Sequence, residues 1–486
     1  MSAVKAVRRR IFIECTHTYL VGGSGGIRRV ARNLANAHKG GSSDEVELLP
    51  LVWAGRRFLR PRRPLIEAPH PLVTWGRRLL GGISIATRLI SKVARWPLLA
   101  PLREPVKAGL RKLLQGLRGA QRADWAGSSE AAPAAQNPEH TRGNSDGFYR
   151  VLGLLLWPLG FLFVAPMRFR QGDIVVLVDS TWDSPAMLEA LFAAREHSGI
   201  QVGAMLHDLF PLTIPQMCQA STVAGYTGWF QQVSEGADFF ITNSAATTQA
   251  LERYVQQAGP VNARSLPAGN FRLGAELHQS SVLSGPNPLQ AVPGFVVLAV
   301  GTIEPRKNYQ VILDALDLLW HQHDVTLVIV GRPGWSNAEV AARLREHPQA
   351  GTRLRHFDNA DDATLSACYQ RADAMVCASW AEGFGLPIVE GMRHGAPVVA
   401  SDIDAFREVG GDACRYFAPD RPAELAAQLE LLVEQWQLGT PVKQEKCDLA
   451  ISWRESAVQF RDEVQRLAAA ASRSTASVAL AARSQQ

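Results

Sequence analysis

The sequence predicts an α/β protein of two Rossmann-like domains, and three observations carry that prediction. Apolar runs of strand length alternate with amphipathic runs of helix length through the C-terminal half, the same pattern recurs less cleanly in the N-terminal half, and 486 residues exceed one ordinary core. Strands apolar along their whole length imply a parallel sheet covered on both faces. In the C-terminal half strands are expected at 295–303, 326–331, 354–357, 374–378 and 397–401, and helices at 308–320, 337–346, 361–371, 386–394 and 422–436. In the N-terminal half strands are expected at 10–14, 174–179, 202–207 and 239–242. The first of these runs into Gly22-Gly23-Ser24-Gly25-Gly26 and a helix at 27–37. That glycine run is either a flexible loop or a turn that lets a ligand approach the backbone.

Composition sets limits on function. Hydrophobic residues make up 47% and charged residues 20%, the balance of a folded globular chain. The six cysteines, at 15, 218, 368, 377, 414 and 447, have no CxxC spacing, so neither a zinc site nor a disulfide framework is indicated and a reducing cytoplasm is the simplest setting. No cleavable leader is expected, because the run after the basic residues 1–10 is a short strand containing Glu14. The net charge of +6 is unevenly spread: between Arg56 and Arg122, 16 Lys or Arg face only Glu67 and Glu104, which gives that block +14 and leaves −8 elsewhere. One basic block in an otherwise acidic protein points to a single anionic partner surface rather than to nucleic acid.

The chemistry concentrates in Trp380-Ala381-Glu382-Gly383-Phe384-Gly385-Leu386-Pro387-Ile388-Val389-Glu390. Its glycines fall at a strand-to-helix turn, where free N–H groups and the positive end of the helix dipole favour a phosphate. Glu382 in the turn and Glu390 two helical turns on supply acceptors for hydroxyls on either side of that phosphate. A diphosphate flanked by hydroxylated groups describes a nucleotide sugar.

The pattern Glu-Gly-Phe-Gly-Leu-Pro-x-x-Glu, followed by Gly395-Ala396-Pro397-Val398-Val399-Ala400-Ser401, resembles the retaining glycosyltransferases of family 4, which have the GT-B fold. The likeness extends upstream through Val300-Gly301-Thr302-Ile303-Glu304-Pro305-Arg306-Lys307-Asn308 and covers most of the C-terminal half. It implies two Rossmann-like domains with a deep cleft between them. It also implies that Glu382 holds a hydroxyl of the donor sugar, that Glu390 holds the ribose and that Lys307 neutralises the diphosphate. Arg306 beside Lys307 is either a second phosphate contact or a solvated charge. Many relatives carry an arginine directly after the glycine that ends this strand, whereas here Thr302 follows Gly301. Gly25 and Gly26 resemble part of the family's first glycine loop, and Thr302, Gly383, Phe384, Gly385 and Leu386 complete the expected donor contacts. Met205-Leu206-His207-Asp208 is similar to the family's His-Asp segment, which assigns His207 to the donor sugar; a satisfied polar strand end is the alternative. Asn243-Ser244 resembles a further pair at the cleft edge, with capping of the next helix as the favoured role. Asp402-Ile403-Asp404 follows a strand of a different architecture from that of the metal-binding DxD enzymes and is read as a loop. The resemblance implies no metal and no cofactor, with a nucleotide sugar, GDP-mannose favoured, as substrate.

Residues 56–168 are too long for an ordinary connection. Wound at 100° per residue, 83–96 and 106–118 each separate an apolar face from a Lys/Arg-rich one, a pattern that fits helices on an anionic bilayer or helices packed on the protein with a solvated basic face. Residues 124–147, rich in Gly, Ser, Ala and Pro, are expected to be a mobile loop. The 17 apolar residues 151–167 fall short of the roughly 20 that span a bilayer, and a crossing there would divide one sheet between two compartments; an in-plane or half-inserted segment or a buried core helix remains. The domain expectation is an acceptor domain at 1–285, a donor domain at 291–450, a helix at 451–470 returning to the first domain, and a disordered tail at 471–486. The functional expectation is retaining, metal-independent transfer of a hexose, mannose favoured, to a lipid-linked saccharide or polyprenyl diphosphate by a peripheral enzyme at the cytoplasmic membrane face. A sugar-nucleotide hydrolase or epimerase on the same fold, and a non-catalytic membrane scaffold, are the alternatives.

Overall fold

The computed structural model describes residues 9–23, 25–37, 46–55, 57–62, 64–66, 164–258, 266–276, 289, 292–335, 338–358, 360–443 and 450–484, arranged as two compact units, Met1–Val202 and Gly203–Gln486. In the first unit strands β1 (Arg9–Glu14), β2 (Val46–Trp53), β3 (Phe58–Pro61), β4 (Val164–Pro166) and β5 (Ile174–Leu177) lie in the order β4-β3-β2-β1-β5. β1 is parallel to β2 and β5, and β2-β3-β4 is an antiparallel extension. The helix Thr16–Val21 stands between β1 and the glycine run, and the helix Gly26–Asn36 follows that run, one residue earlier than expected. β2 escapes the sequence reading because Pro50 interrupts its apolar run; in the sheet Pro50 sits opposite Ile13 in the parallel ladder.

The long insert therefore opens after the third strand, not the first, and β3 and β4 form its antiparallel stem. Because Val164–Pro166 is strand, a helix over 151–167 would have to end before Val164. The expected helices 83–96 and 106–118, the loop 124–147 and the rest of 151–163 lie outside the described residues. Among the described residues no helix is long and apolar enough to cross a membrane.

The second unit holds the parallel strands β6 (Gln201–Leu206), β7 (Phe239–Thr242) and β8 (Ala268–Asn270), in that order. It also holds a six-stranded parallel sheet built from β9 (Phe295–Val300), β10 (Val325–Val330), β11 (Leu354–Phe357), β12 (Ala374–Cys377), β13 (Val398–Ser401) and β14 (Cys414–Phe417), ordered β11-β10-β9-β12-β13-β14. All six residues of β10, Val-Thr-Leu-Val-Ile-Val, are buried, as a strand covered on both faces requires. On one face Ile312, Leu316 and Leu319 of the helix Tyr309–Leu319 meet Leu425, Leu429 and Val433 of the helix Pro422–Gln437 in a single apolar core. The helix Trp453–Ser484 packs on β7 and β8, with Phe460 edge-on to Phe271 at 5.1 Å. It runs to Ser484, past the point where the sequence pattern ends and a disordered tail was expected. The order β10-β9-β12 reverses the direction of winding at β9, and open parallel sheets bind ligands at such a switch point, outside the carboxyl ends of the strands.

Candidate active site

Two turns meet at that edge. After β9 the chain passes Gly301 and enters a short 3₁₀ turn, Pro305–Lys307, ended by Asn308 at φ 54°, the one non-glycine with positive φ among the described residues. Asn308 is held there by donating to the Pro419 carbonyl at 2.8 Å. The Tyr309 hydroxyl donates back to the Gly301 carbonyl at 2.6 Å and closes the turn, so Arg306 and Lys307 project at the strand end.

After β12 the chain forms the second turn and starts the helix Leu386–Arg393. Gly385 caps that helix at φ 109°, a conformation L side chains rarely adopt, and a Cβ there would also strike the Phe406 ring. Glu382 lies between the two turns. Lys307 Nζ donates to its Oε1 at 2.5 Å, Ser379 Oγ donates to the same oxygen at 2.7 Å, and Arg306 Nη1 lies 2.9 Å from Oε2. Arg306 also donates to Glu304 Oε1 at 2.6 Å and to the Ala381 carbonyl at 2.7 Å, with its guanidinium 5.0 Å from the centre of the Phe210 ring. The Trp380 N–H donates to the Arg306 carbonyl at 2.9 Å, so backbone and side chain both join the turns. A small cleft opens beside this cluster, lined by Lys307, Tyr309, Cys377, Ser379, Glu382 and Pro387 among others.

Burial works against the charge on Glu382, but Arg306 and Lys307 outweigh it and hold the carboxyl at about 2, ionised at any physiological pH. An ionised carboxylate only accepts, and hydroxyl groups are suitable donors to it. Burial likewise disfavours charge on Arg306, and Glu382, Glu304 and Asp208 overcome it. Burial raises Asp208 above the usual carboxylate range against the pull of Arg306.

His207 and Asp208 follow β6, and their backbone meets the second turn. Gly383 lies so close to the His207 carbonyl that an added Cβ would stand 1.9 Å from its oxygen. The same carbonyl accepts from Asn243 Nδ2 at 3.0 Å. Ser244 Oγ and Thr247 Oγ1 donate to the Gly383 carbonyl at 2.5 and 3.0 Å. Ser244 also accepts from the Thr247 N–H at 3.0 Å, so it caps its helix as expected and additionally holds the turn.

The structure thus brings together Glu382, Lys307, Arg306, Gly383, Gly385 and Leu386, with the His207 backbone against Gly383. Phe384 is buried at 4% exposure, leaving its backbone as the part available to a ligand, and Thr302 is exposed on the first turn. Glu390 is buried on the helix Leu386–Arg393 and accepts from the Tyr369 hydroxyl at 2.5 Å; the Tyr369 ring stacks on His394. Gly25 and Gly26 belong to the first unit, where Gly26 opens its helix and Gly25 is extended; Gly22 and Gly23 are the residues with positive φ. Arg28 and Arg32 hold the carbonyls of Gly22 and Gly23 at 3.1 and 3.0 Å. Asp402 is held in a two-point pair by Arg407 at 2.6 and 2.7 Å. The sequence reading missed Ser379, Glu304, Thr247 and Tyr369. The spacing Ser379-x-x-Glu382 is the only hint of the first, and the other three meet the site through tertiary packing.

In the arrangement of its strands the protein is an α/β chain with two parallel Rossmann-like sheets and the GT-B fold. Sucrose-phosphate synthase from Thermosynechococcus elongatus shares that fold at a TM-score of 0.57 and 15% identity, over 95% of this chain and 100% of the synthase. Residues 294–435 match the family model described as "Glycosyl transferases group 1". Serotype-specific mannosyltransferase WbdA of Escherichia coli is 29% identical over 307 residues, 60% of this chain and 37% of the relative. A phosphatidyl-myo-inositol mannosyltransferase of Mycolicibacterium smegmatis is 40% identical over 152 residues, 30% of this chain and 38% of the relative. The matched region spans less than half the length of these relatives. Residues 294–435 are thus similar to the group 1 glycosyltransferases.

Proposed function

We propose that the protein transfers a hexose, mannose favoured, from a nucleoside diphosphate sugar to a lipid-linked saccharide or polyprenyl diphosphate at the cytoplasmic face of a membrane, with retention and without a metal. The observation that carries this reading is the ionised Glu382, fixed by Lys307, Arg306 and Ser379 beside the N-terminus of the helix Leu386–Arg393. In this reading the diphosphate lies over the free amides of the second turn, where Lys307 turns toward it as negative charge grows on the departing oxygen. Glu382 accepts from a sugar hydroxyl, and the His207 side chain faces the same sugar. Glu390 holds the ribose. An open groove beside β11, lined by Ile303, Pro333, His356 and Asp358 among others, offers room for the base.

The anomeric carbon–oxygen bond to the diphosphate breaks, the acceptor oxygen bonds to the same face of the sugar, and its proton passes to the leaving phosphate oxygen. Mannose is favoured because both curated relatives bear mannosyltransferase names, and the lipid-linked acceptor because one of those names includes phosphatidyl-myo-inositol. The membrane assignment rests on the basic block 56–122.

The test is turnover with a panel of GDP- and UDP-hexoses and a polyprenyl-diphosphate-linked sugar, comparing the wild type with Glu382→Ala and Lys307→Ala. Loss of about 10²-fold or more in kcat for each variant is expected, the scale of removing one donor or charge from a preorganised site. Wild-type rates in both variants overturn the site. Sugar release without acceptor at the full rate favours a hydrolase instead, and unchanged liposome binding after deletion of residues 77–118 removes the membrane role.

A further inference from the structure

Trp380 has its indole exposed where most large side chains are covered. It is 39% exposed, and its side chain makes no hydrogen bond or ring contact among the described residues. Four other indoles are engaged: Trp320 Nε1 donates to the Val325 carbonyl, Trp453 Nε1 to the Glu276 carbonyl, and the Trp53 and Trp229 rings pack on Phe58 and Tyr226. Most other exposed large apolar residues, including Leu318, Leu431, Trp436 and Val458, lie on outer faces of helices. Trp380 instead stands at the carboxyl edge of the sheet, two residues before Glu382.

Its backbone is not a loose loop. The Trp380 N–H is bonded to the Arg306 carbonyl at 2.9 Å, and the next carbonyl, of Ala381, accepts from the Arg306 guanidinium at 2.7 Å. With the backbone fixed on both sides, only the side-chain torsions of Trp380 remain to be ordered when a ligand covers the indole. Leaving so large an aromatic surface in water is unfavourable unless a ligand covers it.

The ligand chemistry follows from the order of groups along the turn. The amides of Gly383–Leu386 come last and suit phosphate, Glu382 comes before them and suits a hydroxyl, and Trp380 comes before Glu382. A flat, uncharged indole face suits the C–H side of a pyranose ring. Resting on the function proposed above, we infer that Trp380 is the platform on which the terminal sugar of the acceptor stacks, so that the acceptor is a saccharide at the point of transfer rather than a bare polyprenyl diphosphate or an inositol headgroup.

The experiment uses the full chain, GDP-mannose, and two acceptors: an octyl α-mannoside and polyprenyl diphosphate. Trp380→Ala is expected to raise the KM for the mannoside about tenfold or more, about 1.4 kcal/mol, with kcat within about threefold. Trp380→Phe, which keeps an aromatic face, restores most of the affinity. GDP binding measured by calorimetry stays at the wild-type value in both, which separates a stacking surface from a disturbed donor site. Binding of the mannoside, read by titration without donor, weakens in Trp380→Ala whether or not GDP-mannose is the correct donor, so failure of the mannosyl reading does not mask this one. An unchanged mannoside KM and affinity in Trp380→Ala overturns the inference. So does a wild type that uses polyprenyl diphosphate and ignores the mannoside, and that outcome leaves hexose transfer intact.

Discussion

Replacing Gly383 by alanine places a methyl carbon 1.9 Å from the His207 carbonyl oxygen, whereas real Cβ contacts essentially never fall below 3.0 Å. The obstruction is backbone, so no rotamer change relieves it, and the turn has to recede by about 1 Å in a packed setting. The hydrogen bonds from Ser244 Oγ at 2.5 Å and Thr247 Oγ1 at 3.0 Å to the Gly383 carbonyl stretch or break, each worth about 1 kcal/mol. Glu382 is the preceding residue and moves with the turn. A misplacement of about 1 Å costs about 10²-fold in a site that works by positioning, so Gly383→Ala should lower kcat with GDP-mannose by about that factor. The control is Gly228→Ala, in the helix Ala220–Gly236, where an added Cβ meets nothing within 4 Å. It should leave turnover unchanged and raise stability by up to about 1 kcal/mol, because alanine is the better helix former. A Gly383→Ala protein with native circular dichroism and wild-type kcat would refute the reasoning.

Two further predictions concern buried charge. Arg306 bridges Glu304, Glu382 and the Ala381 carbonyl over the Phe210 ring, so Arg306→Lys keeps the charge but loses the planar fork. It should lower kcat about tenfold while GDP affinity by calorimetry changes less than about threefold; a loss of GDP affinity as large as that of Lys307→Ala would assign Arg306 to the phosphates instead. In the first unit, burial and then the neighbouring Asp179 push the Glu14 carboxyl up to about 8, against an ordinary 4.5. The folded state therefore binds the extra proton between those values, and stability falls as pH rises from about 4.5 through about 8. Glu14→Gln should remove most of that fall, up to about 5 kcal/mol, read as the difference in urea midpoints between pH 5 and pH 9. A wild type no less stable at pH 9 than at pH 5, relative to the variant, would overturn it.

What the sequence makes legible follows the periodicity of its elements. β9, β10, β12 and β13 are short apolar runs between amphipathic helices, and they stand where the pattern puts them. β2 carries Pro50, β14 is the mixed Cys-Arg-Tyr-Phe, β3 mixes Arg60 and Pro61 with its apolar residues, and β4 and β8 are three residues long, too short for a period to register. The glutamate turn is legible because its chemistry is local: a strand end, glycines with their special backbone geometry, and a helix start are adjacent in the chain. The partners of its charges are not local. Glu304 is two residues from Arg306, yet nothing in the order of residues says that both Glu304 and Glu382 close on one guanidinium, or that Ser244 and Thr247 reach a carbonyl 139 and 136 positions away.

Those partners change what the departure at Thr302 means. The sequence leaves open whether Arg306 replaces the arginine that many relatives carry directly after the glycine, but both its terminal nitrogens are bonded to carboxylates, one of them also to the Ala381 carbonyl. Moving it to a phosphate would leave Glu304 and Glu382 in a poorly hydrated place with fewer counter-charges, a penalty that grows with burial. Lys307 gives up far less: Glu382 keeps Arg306 and Ser379 when the ammonium swings away. The two adjacent cations thus divide the work by geometry. In the proposed reaction Arg306 would hold the carboxylate that grips the sugar, and Lys307 would follow the charge onto the leaving diphosphate, with the amides of Gly383–Leu386 taking the share of a second arginine.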